Sequence, residues 1–250
     1  MKYELIYHTK TFLGVIAAAA VIAIGGFLLS NSETVTSPNI VLSPINEVKL
    51  NYAERGTRAA SLKIITPSGG HGSGTLMKYN KELVIFTAAH VTTEGPVYLV
   101  QDQWGEQKFA ILAYVDVEAD FAVLVVEPFQ KTKPVKFTLP RYDIRKELDL
   151  EVIFSGHPAH HSLITMRGRV AGFEGPSMII NSSAWGGSSG SGVFDTNGSF
   201  VGILYAVSVG GGFGGPTIME NFIWVMPNDK LNWEELTGRL DAIRMAAESR

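Results

Sequence analysis

Hydrophobic residues are distributed along this chain in two distinct ways. Near the start they form one unbroken block, Phe12 to Leu29 (FLGVIAAAAVIAIGGFLL), with no charged residue between Lys10 and Glu33. From about residue 59 they occur instead in short runs rich in β-branched and aromatic residues, bounded by turn residues such as Asn80-Lys81 and Asp195-Thr196-Asn197-Gly198. Six such runs fall in a first set, at 60–66, 73–79, 82–88, 96–102, 108–115 and 120–127. Six more follow at 148–154, 162–173, 177–183, 191–195, 200–208 and 220–226, and a Pro- and charge-containing stretch at 129–147 divides the sets. Short strands at this spacing predict an all-β barrel or sandwich. Only the tail has helical periodicity: Trp233, Leu236, Leu240 and Ile243 share a face, with Asn232 placed to cap it and Glu234 and Glu235 in the first turn.

The apolar block makes a helix about 27 Å long at ~1.5 Å per residue, enough to span a hydrocarbon core of about 30 Å with small adjustments. Lys2 and Lys10 precede it and the next basic residue is Lys49, which places residues 1–11 in the cytoplasm and the rest of the chain on the far side. A cleaved signal peptide is the competing reading, with Ser30-Asn31-Ser32 as its best site, and a buried core helix is a third. Either of the first two exports the domain. Residues 30–57, rich in Ser, Thr, Asn and Pro without a sustained period, read as a linker.

Composition sharpens this picture. The mean hydropathy of +0.14 is positive only because of the block: residues 12–29 sum to about +47 on a standard scale, against about +35 for the whole chain. With 21 basic and 24 acidic residues the net charge is −3, so there is no electrostatic footprint for nucleic acid. The absence of cysteine excludes a disulfide framework, a thiolate zinc site and a cysteine nucleophile.

Three segments could carry chemistry. Gly186-Gly187-Ser188-Ser189-Gly190-Ser191-Gly192 has four glycines in seven residues, a loop able to aim successive N–H groups at one point, or a plain flexible turn. Thr87-Ala88-Ala89-His90 presents a histidine at the end of an apolar run, flanked by small residues. Asp120 heads the apolar run Asp-Phe-Ala-Val-Leu-Val-Val, with Asp116 and Glu118 as competitors. Together His90, Asp120 and Ser189 supply a base, an acceptor to hold it in one tautomer, and a hydroxyl nucleophile. His71, His157, His160 and His161 lie in Gly- or Pro-containing loops at spacings that match no closed zinc site, so neither a metal nor another cofactor is expected.

With these residues in that order, the chain resembles the chymotrypsin/trypsin-like serine protease superfamily, in motif style closest to bacterial high-temperature-requirement proteases or to viral and phage trypsin-like peptidases. Gly72-Ser73-Gly74-Thr75 and Thr87-Ala88-Ala89-His90 resemble the first-barrel strand and histidine motif, and Asp120-Phe-Ala-Val-Leu the Asp-Leu-Ala-Val-Leu of the bacterial proteases. Gly156-His157-Pro158 is similar to their Gly-Tyr-Pro turn, Val201-Gly202-Ile203 to the strand after the nucleophile, and Phe222-Ile-Trp-Val-Met-Pro227 to the strand before the closing helix. The resemblance implies Ser189 as nucleophile, His90 as general base and then acid, and Asp120 as orienting carboxylate. It also implies an oxyanion hole from the N–H groups of Gly187 and Ser189, a substrate-pairing edge at Tyr205, Ala206 and Val207, and Ser183 near the base of the specificity pocket. An uncharged residue at that base argues against a preference for Lys or Arg. Two departures stand out. Gly192 replaces the proline of the family's Gly-Asp-Ser-Gly-Gly-Pro, and Ser188 replaces its acid, which removes the activation route through a newly cut N-terminus. Ser188 and Ser191 are the alternative nucleophiles, but only Ser189 has a Gly two before and one directly after.

The fold expected is therefore all-β: two six-stranded antiparallel barrels at 58–138 and 139–231 and a C-terminal helix at 232–250, preceded by a single transmembrane helix at 12–29. The expected function is a membrane-tethered, extracytoplasmic serine endopeptidase acting on protein or peptide through an acyl-enzyme. The alternatives are a catalytically silent trypsin-fold protein that binds peptides or scaffolds partners, a polyprotein-processing enzyme with the same chemistry, and a membrane anchor with a structural β domain.

Overall fold

The computed structural model describes residues 49–159, 161–212 and 215–249, so the segments read as cytoplasmic N-terminus and membrane span, and most of the linker, lie outside the described residues. Among the described residues no helix is long and apolar enough to cross a membrane.

The described chain opens on helix α1 (Tyr52–Ala60) and then enters strands β1 (Ser61–Ile65), β2 (His71–Tyr79), β3 (Glu82–Thr87), β4 (Val97–Gln101), β5 (Gln107–Asp116) and β6 (Phe121–Val126). These close into a six-stranded antiparallel barrel, because β1 pairs with both β2 and β4. A two-residue strand, β7 (Val135–Lys136), adds parallel to β2 outside the ring. The second barrel comprises β8 (Glu151–Gly156), β9 (Ile164–Glu174), β10 (Ser177–Asn181), β11 (Gly192–Asp195), β12 (Phe200–Gly212) and β13 (Gly215–Pro227), closed in the order β10-β13-β12-β11-β8-β9. Helix α2 (Trp233–Glu248) ends the chain, capped by Asn232 accepting from Glu235 N–H. All twelve expected strands and the terminal helix are present, with shifted ends. The Asn80-Lys81 turn joins β2 to β3 with both residues at positive φ (45° and 74°), the geometry that a tight hairpin demands.

Each terminal helix packs on the barrel farther from it in sequence. Helix α2 closes the first barrel: Trp233 lies in an aromatic cluster with Phe86, Phe121, Phe137 and Phe200, and Tyr79 Oη bonds Thr237 Oγ1 at 2.8 Å. Helix α1 instead lies on the second barrel, where Arg167 Nη2 donates to Glu54 at 2.9 Å and Arg58 to Leu163 O at 3.2 Å. The linker expected to reach residue 57 therefore ends earlier. An Asn51–Glu54 capping box starts the helix, and its buried residues are Glu54, Thr57 and Arg58 with only the small Ala53 and Ala60 among them, which is why apolar periodicity did not reveal it.

Candidate functional site

His90 follows β3 on a single 3-10 turn (Ala89–Thr92), and Asp120 immediately precedes β6, the strand paired with β3 through Thr87 and Ala122. The pairing alone brings the two residues together. Asp120 stands at φ +44°, a left-handed conformation that Asp tolerates better than most residues and that turns its carboxylate back toward His90. One carboxylate oxygen accepts from His90 N–H at 2.9 Å, and the other lies 2.7 Å from His90 Nδ1. A carboxylate only accepts, so Nδ1 carries a proton toward Asp120 and the Nε2 edge of the ring faces away from it. Burial alone would raise the Asp120 carboxyl, but the bonds from His90 and Ala89 and the attraction of the imidazole outweigh it and hold it below the ordinary carboxylate range. The competitors Asp116 and Glu118 take no part in this pair; Asp116 accepts from Ala119 N–H in a local turn.

Ser189 arrives from the second barrel on the 186–192 loop. Ser73 N–H donates to Ser189 O at 2.8 Å, and Gly192 N–H donates to Thr75 Oγ1 at 3.0 Å, so β2 of the first barrel grips the loop at both positions. Gly190, at φ +89°, lies so close to Ser73 O, Thr87 and Ala88 N that an added Cβ would sit 2.1 Å from the first. The loop is thereby pressed against the strand end that carries His90. Gly192 shows a use for one departure from the family pattern, since a proline there has no N–H to offer Thr75. Ser188 is fully buried with Oγ toward Trp185 N, and Ser191 is fully buried too, so neither alternative nucleophile is presented.

The backbone of this loop alternates in an informative way. Ser188 N–H bonds Trp185 O, Gly190 N–H bonds Leu204 O and Ser191 N–H bonds Ser188 O. Among the described residues, the N–H groups of Gly187 and Ser189 have no hydrogen-bond partner. Each belongs to a peptide whose carbonyl is already held on the opposite side: Gly186 O by Ala159 N–H (2.6 Å) and Ser188 O by Ser191 N–H (3.1 Å). In a trans peptide N–H and C=O point apart, so both donors are fixed facing away from those bonds. Such a pair can receive a developing oxyanion.

The Ser189 hydroxyl itself donates to Tyr205 O at 3.5 Å, a long contact, and not to His90. Tyr205 is an extra residue in β12: the register with β13 shifts between Leu204 and Ala206, as at a β-bulge. Beyond Ile203 strand β12 leaves β11, so Tyr205, Ala206 and Val207 keep β13 on one side, and among the described residues no strand on the side facing Ser189. Tyr205 Oη bonds Ser177 Oγ at 2.7 Å. Ser183 is half-buried just after β10. Of the other histidines, His157 is buried and pushed down to about 4, first by burial and then by Lys63, His71 and Arg58, while His71 Nε2 lies 2.9 Å from His157 O. His160 lies outside the described residues, and among those described no group of three or more His, Asp or Glu could hold a metal ion.

A family profile described as "Trypsin-like peptidase domain" matches residues 72–203, a span that contains His90, Asp120 and Ser189. Among solved structures, the HtrA-type protease AlgW with a tripeptide is similar at 20% identity and a TM-score of 0.57, over 71% of this chain and 59% of that one. Rv3671c from M. tuberculosis H37Rv, in the inactive form of a serine-to-alanine mutant, is similar at 17% identity and 0.58, over 81% of this chain and 95% of that one. The serine endoprotease from Yersinia pestis is similar at 22% identity and 0.55, over 71% and 61%. The chain thus spans about three fifths of the AlgW and Yersinia chains. These likenesses establish the fold. No curated protein matches by sequence.

Proposed function

The chain belongs to the trypsin-like peptidase family, and from that premise we propose that it is a serine endopeptidase working through Ser189, His90 and Asp120. The observation that carries the reading is the convergence of two preparations. Asp120 holds the His90 ring through Nδ1 at 2.7 Å, and the Ser189 loop beside it offers two N–H groups without a hydrogen-bond partner among the described residues. The reading requires Ser189 Oγ to leave Tyr205 O for His90 Nε2, and catalytic hydrogen bonds commonly tighten only once substrate is bound.

In the reaction, Oγ attacks the scissile carbonyl while its proton passes to His90 Nε2, and the carbonyl oxygen becomes an anion received by Gly187 and Ser189 N–H. Collapse breaks the C–N bond as His90 returns the proton to the leaving amine. Water then repeats the sequence on the acyl-enzyme and frees Ser189. The open edge of β12 at Tyr205, Ala206 and Val207 suits an extended peptide added as a strand, with Ser183 toward the first pocket. We place the domain on the extracytoplasmic side of a membrane, tethered through residues 12–29, on the charge asymmetry of the sequence.

A fluorophosphonate probe tests the assignment. Wild type is expected to be labelled, Ser189→Ala to lose labelling, and His90→Ala to be slowed by roughly 10⁴ or more. A silent peptide-binding relative is the reading that the Ser189–Tyr205 contact favours; folded wild type that resists the probe would establish it and overturn ours.

A further inference from the structure

The 186–192 loop is made of glycine and serine, and glycine resists rotation less than any other residue. What holds the loop comes from outside it. Gly187 lies at φ +94° between two peptide planes. The plane before it is held by Ala159 N–H on Gly186 O, and the plane after it by Ser73 Oγ on Gly187 O, both at 2.6 Å. Ser73 Oγ also accepts from His157 N–H at 2.9 Å, and Ser73 N–H donates to Ser189 O. One serine therefore touches the turn before the loop, the peptide after Gly187 and the residue that carries the nucleophile. His71 holds the opposite side of the same turn, with Nε2 donating to His157 O. A Cβ at Gly187 would stand 2.5 Å from His157 O and 2.6 Å from His71 Nε2, so there is no slack between turn and loop. The turn is itself in a sparsely populated conformation, Ala159 lying at φ +50°.

We propose that Ser73 is a positioning residue for peptide hydrolysis: its hydroxyl couples the 157–159 turn to Gly187 and so aims the Gly187 N–H at the reacting carbonyl oxygen. The inference rests on the reading of Ser189 as nucleophile. Ser73 is fully buried, so its hydroxyl has no water to exchange for these partners and does not meet substrate. Removing it orphans Gly187 O and His157 N–H together. The plane after Gly187 then loses its anchor, the Ala159 N–H that holds the plane before it sits on a turn no longer tied at His157, and a rotated plane turns a carbonyl, instead of a donor, toward the developing negative charge.

The test uses the full chain with Ser73→Ala, p-nitrophenyl acetate as substrate and phenylboronic acid as a mimic of the tetrahedral adduct, with sites counted by fluorophosphonate titration. Per titrated site, kcat is expected to fall about 10- to 100-fold, less than the ~10²–10³ lost with a whole oxyanion donor. KM should change by less than about threefold, and boronic acid affinity should weaken in step with kcat, because only the tetrahedral species needs the donor. Ser73→Cys, nearly isosteric but a weak donor and acceptor, guards against an alanine variant that does not fold and is expected to lose kcat in the same pattern. Labelled wild type together with a folded Ser73 variant of wild-type kcat and boronic acid affinity overturns this inference alone. Wild type that the probe does not label overturns the Ser189 assignment and this inference with it.

Discussion

The two barrels bring their shares of the site to the cleft by different means. His90 and Asp120 belong to one barrel, at the ends of paired strands, and two hydrogen bonds join them directly. Behind them Phe86 and Phe121 pack edge to face at 5.2 Å within the aromatic cluster that α2 seals. Ser189 sits on a loop without bulky side chains, and its fixed points are Ser73 and Thr75 of the other barrel and the 157–159 turn. On the proposed assignment, the acid–base half is thus a property of one barrel, whereas the nucleophile half is a property of the contact between two. Substitutions within the pair should change rate with little change in stability, and substitutions at the contact should change both.

Asp120→Asn gives the largest expected effect. The amide still accepts from His90 N–H, and Asn tolerates φ +44° as Asp does, so the fold is expected to hold. The Nδ1 side then faces an NH₂ group, which favours the wrong imidazole tautomer, and kcat should fall roughly 10⁴-fold with a thermal midpoint only slightly lowered. A fall of less than tenfold would break the comparison. The depressed Asp120 carboxyl sets the pH window. Its contribution is complete above the unfolded carboxylate value of about 3.9 and is lost only as pH falls through the lower folded value, so the pair is intact at neutral and mildly acidic pH.

At the contact, Gly190→Ala combines a left-handed backbone (φ +89°) with a Cβ 2.1 Å from Ser73 O and 2.2 Å from Thr87 Oγ1. It is expected to destabilise by about 3 kcal/mol or more and to abolish labelling. Gly186→Ala is the control: its Cβ would meet nothing within 4 Å, and an effect within about 0.5 kcal/mol is expected. Equal urea midpoints for the two variants would show that the loop does not depend on the first barrel.

The contact also carries a pH dependence, and it sets in at higher pH than that of Asp120. His157 is 5% exposed and pushed down to about 4 from 6.5, first by burial. The unfolded chain binds this proton more readily, so stability is full above the unfolded value and falls as pH drops from about 6.5 toward 4, by on the order of 3 kcal/mol. His157→Gln removes the titration and keeps the backbone N–H and C=O that Ser73 and His71 use. Urea melts at pH 7 and pH 4.5 should differ less for the variant than for wild type, and equal slopes would refute the assignment.

The same division explains what could be read in the sequence. The strands announced themselves because a barrel wall needs alternating or continuous apolar runs, as in Phe121–Val126. The candidates His90, Asp120 and Ser189 stood out because the chemistry proposed for them constrains side-chain type. Strand β7 escaped because two residues between Pro134 and Phe137 carry no period. The grip on the loop escaped for a deeper reason: Ser73 meets Gly187 and His157 across 114 and 84 residues, through one hydroxyl and backbone groups that every residue type possesses. Ala159 acts through its N–H alone. The Asn51–Glu54 capping box was the one overlooked local signal.

The smallest effect separates the two ends of the grip. Thr75 is buried, and its Oγ1 accepts the Gly192 N–H at 3.0 Å. Thr75→Val keeps the shape but leaves that donor buried without an acceptor, at a cost of about 1–2 kcal/mol. Thr75 bonds neither Gly187 nor the 157–159 turn, so kcat per titrated site should stay within about threefold of wild type. A Cβ at Gly192 would lie 2.8 Å from Thr75 Oγ1 and 3.0 Å from the Phe194 ring, so in this chain glycine and threonine are matched to each other. A lower urea midpoint with unchanged kcat for Thr75→Val, set against lost kcat for Ser73→Ala, would divide the contact into a part that holds the barrels together and a part that aims the donor. If both variants lose kcat alike, the loop moves as one body and that division fails.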